Sequence, residues 1–173
     1  LLVILKIYSN NKEVKLELNV ITKYMRTLKT KGDIEIHSGK ALKRPSKPLA
    51  EETAEMVSEL MNASTSFHKL HLSVTGTGSY AQHKALNDLY DSLPEHADVL
   101  AEGFQGISEM LLKYEDKPPR KLKTIKEGLD YLREMYEEVS ELQSEMPYSE
   151  IVNNLDLVKD SINKAKYKLI FLS

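Results

Sequence analysis

The chain predicts an all-α fold, an antiparallel four-helix bundle that follows an N-terminal basic arm. Three observations lead there. Apolar residues recur at steps of three and four through residues 49–173, the period of a buried helix face. Only seven glycines and six prolines are present. Four of those prolines fall before Leu49 or between Lys117 and Lys121, so the breakers sit between apolar stripes.

Residues 1–48 read as arm and linker, and residues 49–173 as the bundle. Residues 1–47 carry eleven Lys or Arg against four Asp or Glu, a local charge of +7. Residues 48–173 carry thirteen against twenty-two, a charge of −9. A basic arm on an acidic body suits contact with DNA phosphates, and it equally suits a solvated tail. A short helix is expected over residues 16–28. The run KRPSKP (43–48) closes the arm, because proline removes donors and disfavours helix just before it.

The first bundle helix is expected over residues 50–74, with Val57, Leu60, Ser64, Phe67 and His71 facing inward. Thr75-Gly76-Thr77-Gly78 ends it, and Ser79 is the expected cap of the second helix. That helix is expected to reach about residue 114, with a seam of Tyr80, His83, Asn87, Tyr90, Ala97, Ala101, Phe104, Ile107 and Leu111. Pro94 lies inside it and should kink it or remove a backbone bond. The breaker DKPPRK (116–121) precedes the third helix, which uses Leu122, Ile125, Leu129, Leu132, Tyr136, Val139 and Leu142. Met146-Pro147 closes it. The fourth stripe is Ile151, Leu155, Val158, Ile162, Ala165, Leu169 and Leu172, the pattern of near-parallel bundle packing.

Composition excludes several classes. There is no cysteine, hence no disulfide, thiolate metal site or cysteine nucleophile. That suits a cytoplasmic protein. The apolar opening LLVILKIY is far shorter than the roughly 20 residues of a spanning helix, so no membrane partner is expected. The chain starts at Leu1 rather than Met, which fits a processed product, a fragment or a frame read from too far upstream. No phosphate-binding glycine loop or nucleophile elbow is present; TGTG follows a helix, not a strand.

The chemistry-bearing constellation is His71, His83, Asp98 and Glu102. Side chains four apart lie about 40° apart around a helix, so Asp98 and Glu102 share a face, as do His83 and Asn87. His71 ends one helix and His83 opens the next, which puts both imidazoles at one end of the pair. Nitrogen and oxygen donors of this kind suit Fe, Mn or Zn. His83 and Asp98 are fifteen residues apart on one helix, about 22 Å by rise, too far to share an ion within one chain. Either a second subunit supplies the carboxylates or there is no shared site.

The stretch HKLHLSVTG followed by HKALNDLYDSLPEHADVLAE resembles the signature of Dps proteins, the mini-ferritins. Their pattern runs HKLHWNVTG, then HELFDELYDELxEHIDxLAE, with the same intervening length. The resemblance implies a ferritin-like fold, a two-fold dimer within a shell that is typically a dodecamer, and a di-iron ferroxidase site at the dimer interface. It implies that His71, His83 and Asn87 of one chain, with Asp98 and Glu102 of its neighbour, hold Fe(II) while peroxide or dioxygen oxidises it for storage. Three features depart from the family. Asn87 replaces an aspartate, which weakens the second iron position. Leu72 replaces a tryptophan. The stretch after Glu102 is too short for the family's extra helix between the second and third. These departures leave a second reading, a ferritin-like bundle without oxidase activity that serves assembly or DNA interaction.

Other candidates carry less. His68 is read as a surface residue or an auxiliary ligand; His37 and His96 have no partner pattern. Lys117, Arg120, Lys121 and Lys123 read as a solvated basic connection.

Overall fold

The computed structural model describes residues 47–172. Among them are four helices and no strand: α1 (Lys47–His71), α2 (Ser79–Ser108), α3 (Ile125–Glu145) and α4 (Ser149–Phe171). No described helix is long and apolar enough to cross a membrane. The basic arm, its expected helix over residues 16–28 and its DNA contacts lie outside the described residues.

Helix α1 buries Met56, Val57, Leu60, Ala63, Phe67, Leu70 and His71 along one face. Its buried hydroxyls hold carbonyls one turn back, Thr53 to Leu49 at 2.7 Å and Ser66 to Asn62 at 2.8 Å, so no polar group is stranded there. Two left-handed glycines, Gly76 (φ 88°) and Gly78 (φ 78°), then reverse the chain. Gly78 is the cap of α2 rather than Ser79, which is already the first helical residue.

Pro94 does not stop α2. A proline at that position has no N–H for the Tyr90 carbonyl one turn earlier. The Ser64 hydroxyl of α1 donates to that carbonyl instead, at 2.8 Å. The helix thus loses one bond and the α1–α2 pair gains one.

Other expectations change as well: α1 ends at His71 and not at residue 74, and Leu122, expected in the third helix, precedes α3. The core seam of α2 is Leu86, Leu89, Leu93, Ala97, Leu100, Ala101 and Phe104. Tyr80 and Leu111, expected inside, are 78% and 86% exposed. Also, α2 ends at Ser108 and not near residue 114, because Glu109 turns left-handed (φ 54°). Gln105 then accepts from the Leu112 backbone at 2.9 Å, and Leu112 is buried.

The connection that follows, residues 109–124, climbs along α1. Lys117 meets Glu55 at 3.8 Å, Arg120 meets Glu59 at 3.4 Å, and Gly128 of α3 lies against Leu70 and Phe67. Arg120 also pairs with Glu134 and stacks 4.0 Å over the Tyr131 ring. The expected solvated loop is therefore pinned by two of its cations. Thr124 caps α3, accepting from Glu127 N at 3.2 Å, and the Glu127 carboxylate reaches back past the cap to accept from Lys123 N at 2.6 Å.

This climb fixes the topology. With α1 taken as up, α2 runs down, α3 runs down from the same end, and α4 returns up. Gln143 of α3 donates to Val152 and Asp156 of α4. Lys168 meets Asp88, and His96 meets Ser161, across α2 and α4. The packed pairs are α1 with α2, α2 with α4, α4 with α3 and α3 with α1, each antiparallel. Core residues from all four, including Phe67, Phe104, Leu132 and Ile162, fill the centre.

Candidate metal centre

The α1–α2 hairpin brings His71 and His83 together. Their rings stack with centroids 3.6 Å apart and planes 27° apart. Each ring faces the other residue's backbone. His71 Nδ1 lies 3.0 Å from the His83 carbonyl, and His83 Nδ1 lies 3.4 Å from the His71 carbonyl. A carbonyl oxygen only accepts, so each Nδ1 carries the hydrogen. That leaves the lone pair on each Nε2, and no described residue bonds either one. A backbone carbonyl on Nδ1 is the usual way a protein fixes the tautomer and aim of a metal-binding imidazole. The donor set fits a borderline divalent ion.

Aromatic contacts brace the pair. Tyr90 meets the edge of His71 at 5.1 Å, and His68 stacks on Tyr90 at 4.1 Å. The Tyr90 hydroxyl donates to Asn87 Oδ1 at 3.0 Å, and Asn87 Nδ2 donates to Asp91 at 2.8 Å. Burial first, then the Asp91 carboxylate, raises the Tyr90 pKa, which keeps its hydroxyl a donor. His71 is buried and His83 exposed, so one imidazole is set by packing and the other by the hairpin bonds.

Asp98 and Glu102 lie further along α2, both exposed. Asp98 neighbours Tyr114 of the connection, whose pKa is raised by burial and then by that carboxylate. The carboxylates do not reach the histidines within the chain. Among the described residues no three His, Cys, Asp or Glu side chains are grouped to hold a metal ion.

Sequence reasoning missed three features. His96, half-buried, bonds Ser161 through Nε2 at 2.8 Å; burial lowers its pKa, opposed by Glu95 and Asp160. The partner is 65 residues away, so no local pattern announces it. Tyr90 braces the histidine pair, although its helical spacing from Asn87 was legible. The third is a cavity of about 590 Å³ between α1, the connection and α3. Six glutamates line it, among them Glu52, Glu59 and Glu138, with Lys117 and Arg120. It is remote from the histidines.

Residues 71–169 match a family described as a family of unknown function, DUF5856. No curated protein and no solved structure matches the chain.

Proposed function

The chain belongs to the DUF5856 family, and from the hairpin it carries we propose that it binds Fe(II) at a site shared between two copies and oxidises it, as Dps-like proteins do. The observation that carries this reading is the reciprocal bonding of His71 and His83, which holds both rings in one tautomer at one end of the α1–α2 pair and leaves both Nε2 lone pairs unbonded. Two further facts support it. The helix order is up, down, down, up with one long crossover, as a ferritin-like reading expects. The remaining candidates, Asp98 and Glu102, share a helix with His83 but sit about 22 and about 28 Å along it, so a second copy would have to supply them. A two-fold axis across α1 and α2 would lay one chain's carboxylates on its neighbour's imidazoles.

Fe(II) is the substrate here, and the chain's own residues do three things. The imidazoles offer neutral nitrogen donors held in one tautomer. The carboxylates supply negative charge that favours the ferric product. The hairpin bonds hold both rings in place before metal arrives, so ordering costs little at the moment of binding. Peroxide or dioxygen takes the electrons, and the oxidised iron is stored within a closed assembly, a dodecamer in the Dps-like reading. In that reading the protein is cytoplasmic, and its basic arm touches DNA phosphates.

Exposed apolar side chains favour a second reading, assembly without oxidation. Leu72 (72% exposed) and Tyr80 (78% exposed) flank the hairpin on the face that would meet a neighbour. Rapid mixing of anaerobic protein and Fe(II) with peroxide separates the two. The ferroxidase reading expects oxidation much faster than in buffer and lost in His83→Ala. A rate equal to buffer, unchanged in His83→Ala, leaves the assembly reading standing.

A further inference from the structure

We infer that the acidic cavity between α1 and α3 binds a linear aliphatic polyamine, a triamine by its length, with Tyr131 anchoring one end. The site is separate from the histidine pair, so neither reading depends on the other.

The cavity holds about 590 Å³. Glu52, Glu55 and Glu59 line it from α1, and Glu138, Glu141 and Glu145 from α3. The two helices run antiparallel, so Glu52 couples by charge to Glu145 at one end and Glu59 to Glu138 at the other. Two cations also line it, Lys117 and Arg120, which leaves a net charge of −4. Both cations are already engaged. Lys117 meets Glu55 and Glu115, and Arg120 meets Glu59 and Glu134. Among the described residues no cation forms an ion pair with Glu52, Glu138, Glu141 or Glu145. Desolvation, then Glu145 and Glu55, raises the Glu52 pKa; desolvation, then Glu59, raises that of Glu138, with Arg120 opposing. The cavity holds more negative charge than its own cations neutralise.

An independent observation points to a missing donor there. Tyr131 is 2% exposed, stacked by Phe67 at 5.3 Å and covered by Arg120 at 4.0 Å. The charges its hydroxyl feels most are Glu59, Arg120 and Glu138, all in the cavity wall. Glu59 comes near enough to raise the Tyr131 pKa, after burial, yet the two close no hydrogen bond, and no described group bonds the hydroxyl. Glu59 reaches instead toward Arg120 at 3.4 Å. A buried hydroxyl left without a partner is costly. An ammonium seated between Glu59 and Glu138 gives its oxygen a donor.

Shape and spacing select the ligand. Among the described residues no three acidic or histidine side chains group closely enough to hold a metal ion, so these carboxylates are too spread for one. Glu52 to Glu59 and Glu138 to Glu145 each span about 10 Å of helix. An extended chain gains about 3.5 Å per three bonds, so about nine bonds cover that distance. That is the separation of the terminal nitrogens in a triamine with three- and four-carbon spacers. Its ammonium groups offset most of the net charge, and Met56, Pro118 and Leu142 give its methylenes an apolar wall.

The test is calorimetric titration of the full chain, at fixed ionic strength, with spermidine, propane-1,3-diamine and Mg(II). The expected result is one spermidine per chain, bound about tenfold or more tightly than the short diamine or Mg(II), since one charged hydrogen bond carries that much. Glu52→Gln/Glu145→Gln removes one end and should weaken spermidine by about tenfold or more. Glu137→Gln/Glu150→Gln removes equal charge outside the cavity and should leave binding almost unchanged. Tyr131→Phe should weaken spermidine several-fold. Thermal melts show which variants fold, and the ligand series in the natural sequence decides if one does not. No binding of spermidine overturns the inference. Equal affinity for spermidine and the diamine, or equal loss in the two double variants, overturns it in favour of diffuse charge attraction. Mg(II) bound more tightly than spermidine overturns it in favour of a metal site. Undiminished binding in a folded Tyr131→Phe overturns the role given to the hydroxyl.

Discussion

The two ends of α2 are built differently. At the hairpin end, His83 is stacked, bonded to a carbonyl and backed by Tyr90 and His68. At the far end, Asp98 and Glu102 are exposed carboxylates on a helix whose opposite face packs closely against α4. One end is preorganised by its own chain. The other offers charge on a rigid rod. The contrast teaches that neutral donors need neighbours to fix their tautomer and aim, whereas a carboxylate with several acceptor positions needs only a face and a spacing. The proposed shared site would divide the work along that line.

The strongest way to break this comparison is to remove each end in turn. Loss of a residue that merely orients a ligand costs about 10–100-fold in metal affinity, and loss of a ligand should cost at least that. His83→Ala and the double variant Asp98→Asn/Glu102→Gln should therefore each weaken Co(II) binding by about a hundredfold or more in calorimetric titration. The carboxylate variant should leave the melting temperature almost unchanged, since exposed substitutions usually stay within about 0.5 kcal/mol. Unchanged affinity in either variant would show that the two ends do not cooperate.

The next effect concerns the rigidity of the far end. A Cβ at Gly103 would lie 2.9 Å from Ile151 Cδ1, and Ile151 is fully buried. Gly103→Ala should overpack the α2–α4 contact at about 1–3 kcal/mol, partly offset by about 1 kcal/mol of helix propensity. Gly106, one turn on, has open space around it. Gly106→Ala should instead stabilise the helix by about 0.5–1 kcal/mol. Denaturant unfolding reads both, and equal effects would contradict the close approach.

The smallest effect is a pH dependence from mid-helix. Burial lowers the His96 pKa below its ordinary 6.5. Between the folded and unfolded values the unfolded chain binds more protons, so stability rises with pH through that window. The contribution is therefore present above about pH 6.5 and is lost as pH falls toward the lower folded value. His96→Gln should flatten the stability profile just below pH 6.5. A profile as steep as that of the natural sequence would assign the dependence elsewhere.

Much of this was legible from the chain. The α4 stripe is buried residue for residue from Ile151 to Leu169, because its apolar steps of four and three keep to one face; Leu172, expected to continue it, caps the helix and is exposed. The meeting of His71 and His83 followed from the tight glycine turn. The second half of the α2 seam, Ala97, Ala101 and Phe104, was legible and is buried; the first half was not, since two stripes run along it. Leu86, Leu89, Leu93 and Leu100 form one; Tyr80, His83, Asn87 and Tyr90 form the other. Both repeat at three and four, and periodicity alone cannot say which meets the bundle. The end of α2 was hidden for a different reason. Residues 109–114 (EMLLKY) contain no breaker, and burial of Leu112 decides their path. Likewise, only the tertiary partners Glu55, Glu59 and Glu134 reveal Lys117 and Arg120 as struts.

The central claim is that imidazoles from one copy and carboxylates from another grip the same ion. Mixing tests it directly. His83→Ala chains and Asp98→Asn/Glu102→Gln chains are each prepared metal-free, mixed after reversible dissociation, and assayed for bound Co(II). Random pairing into two-fold dimers should restore about one quarter of the natural binding, because half the dimers are mixed and each carries one intact site. Binding no greater than that of the two variants measured apart would contradict the account.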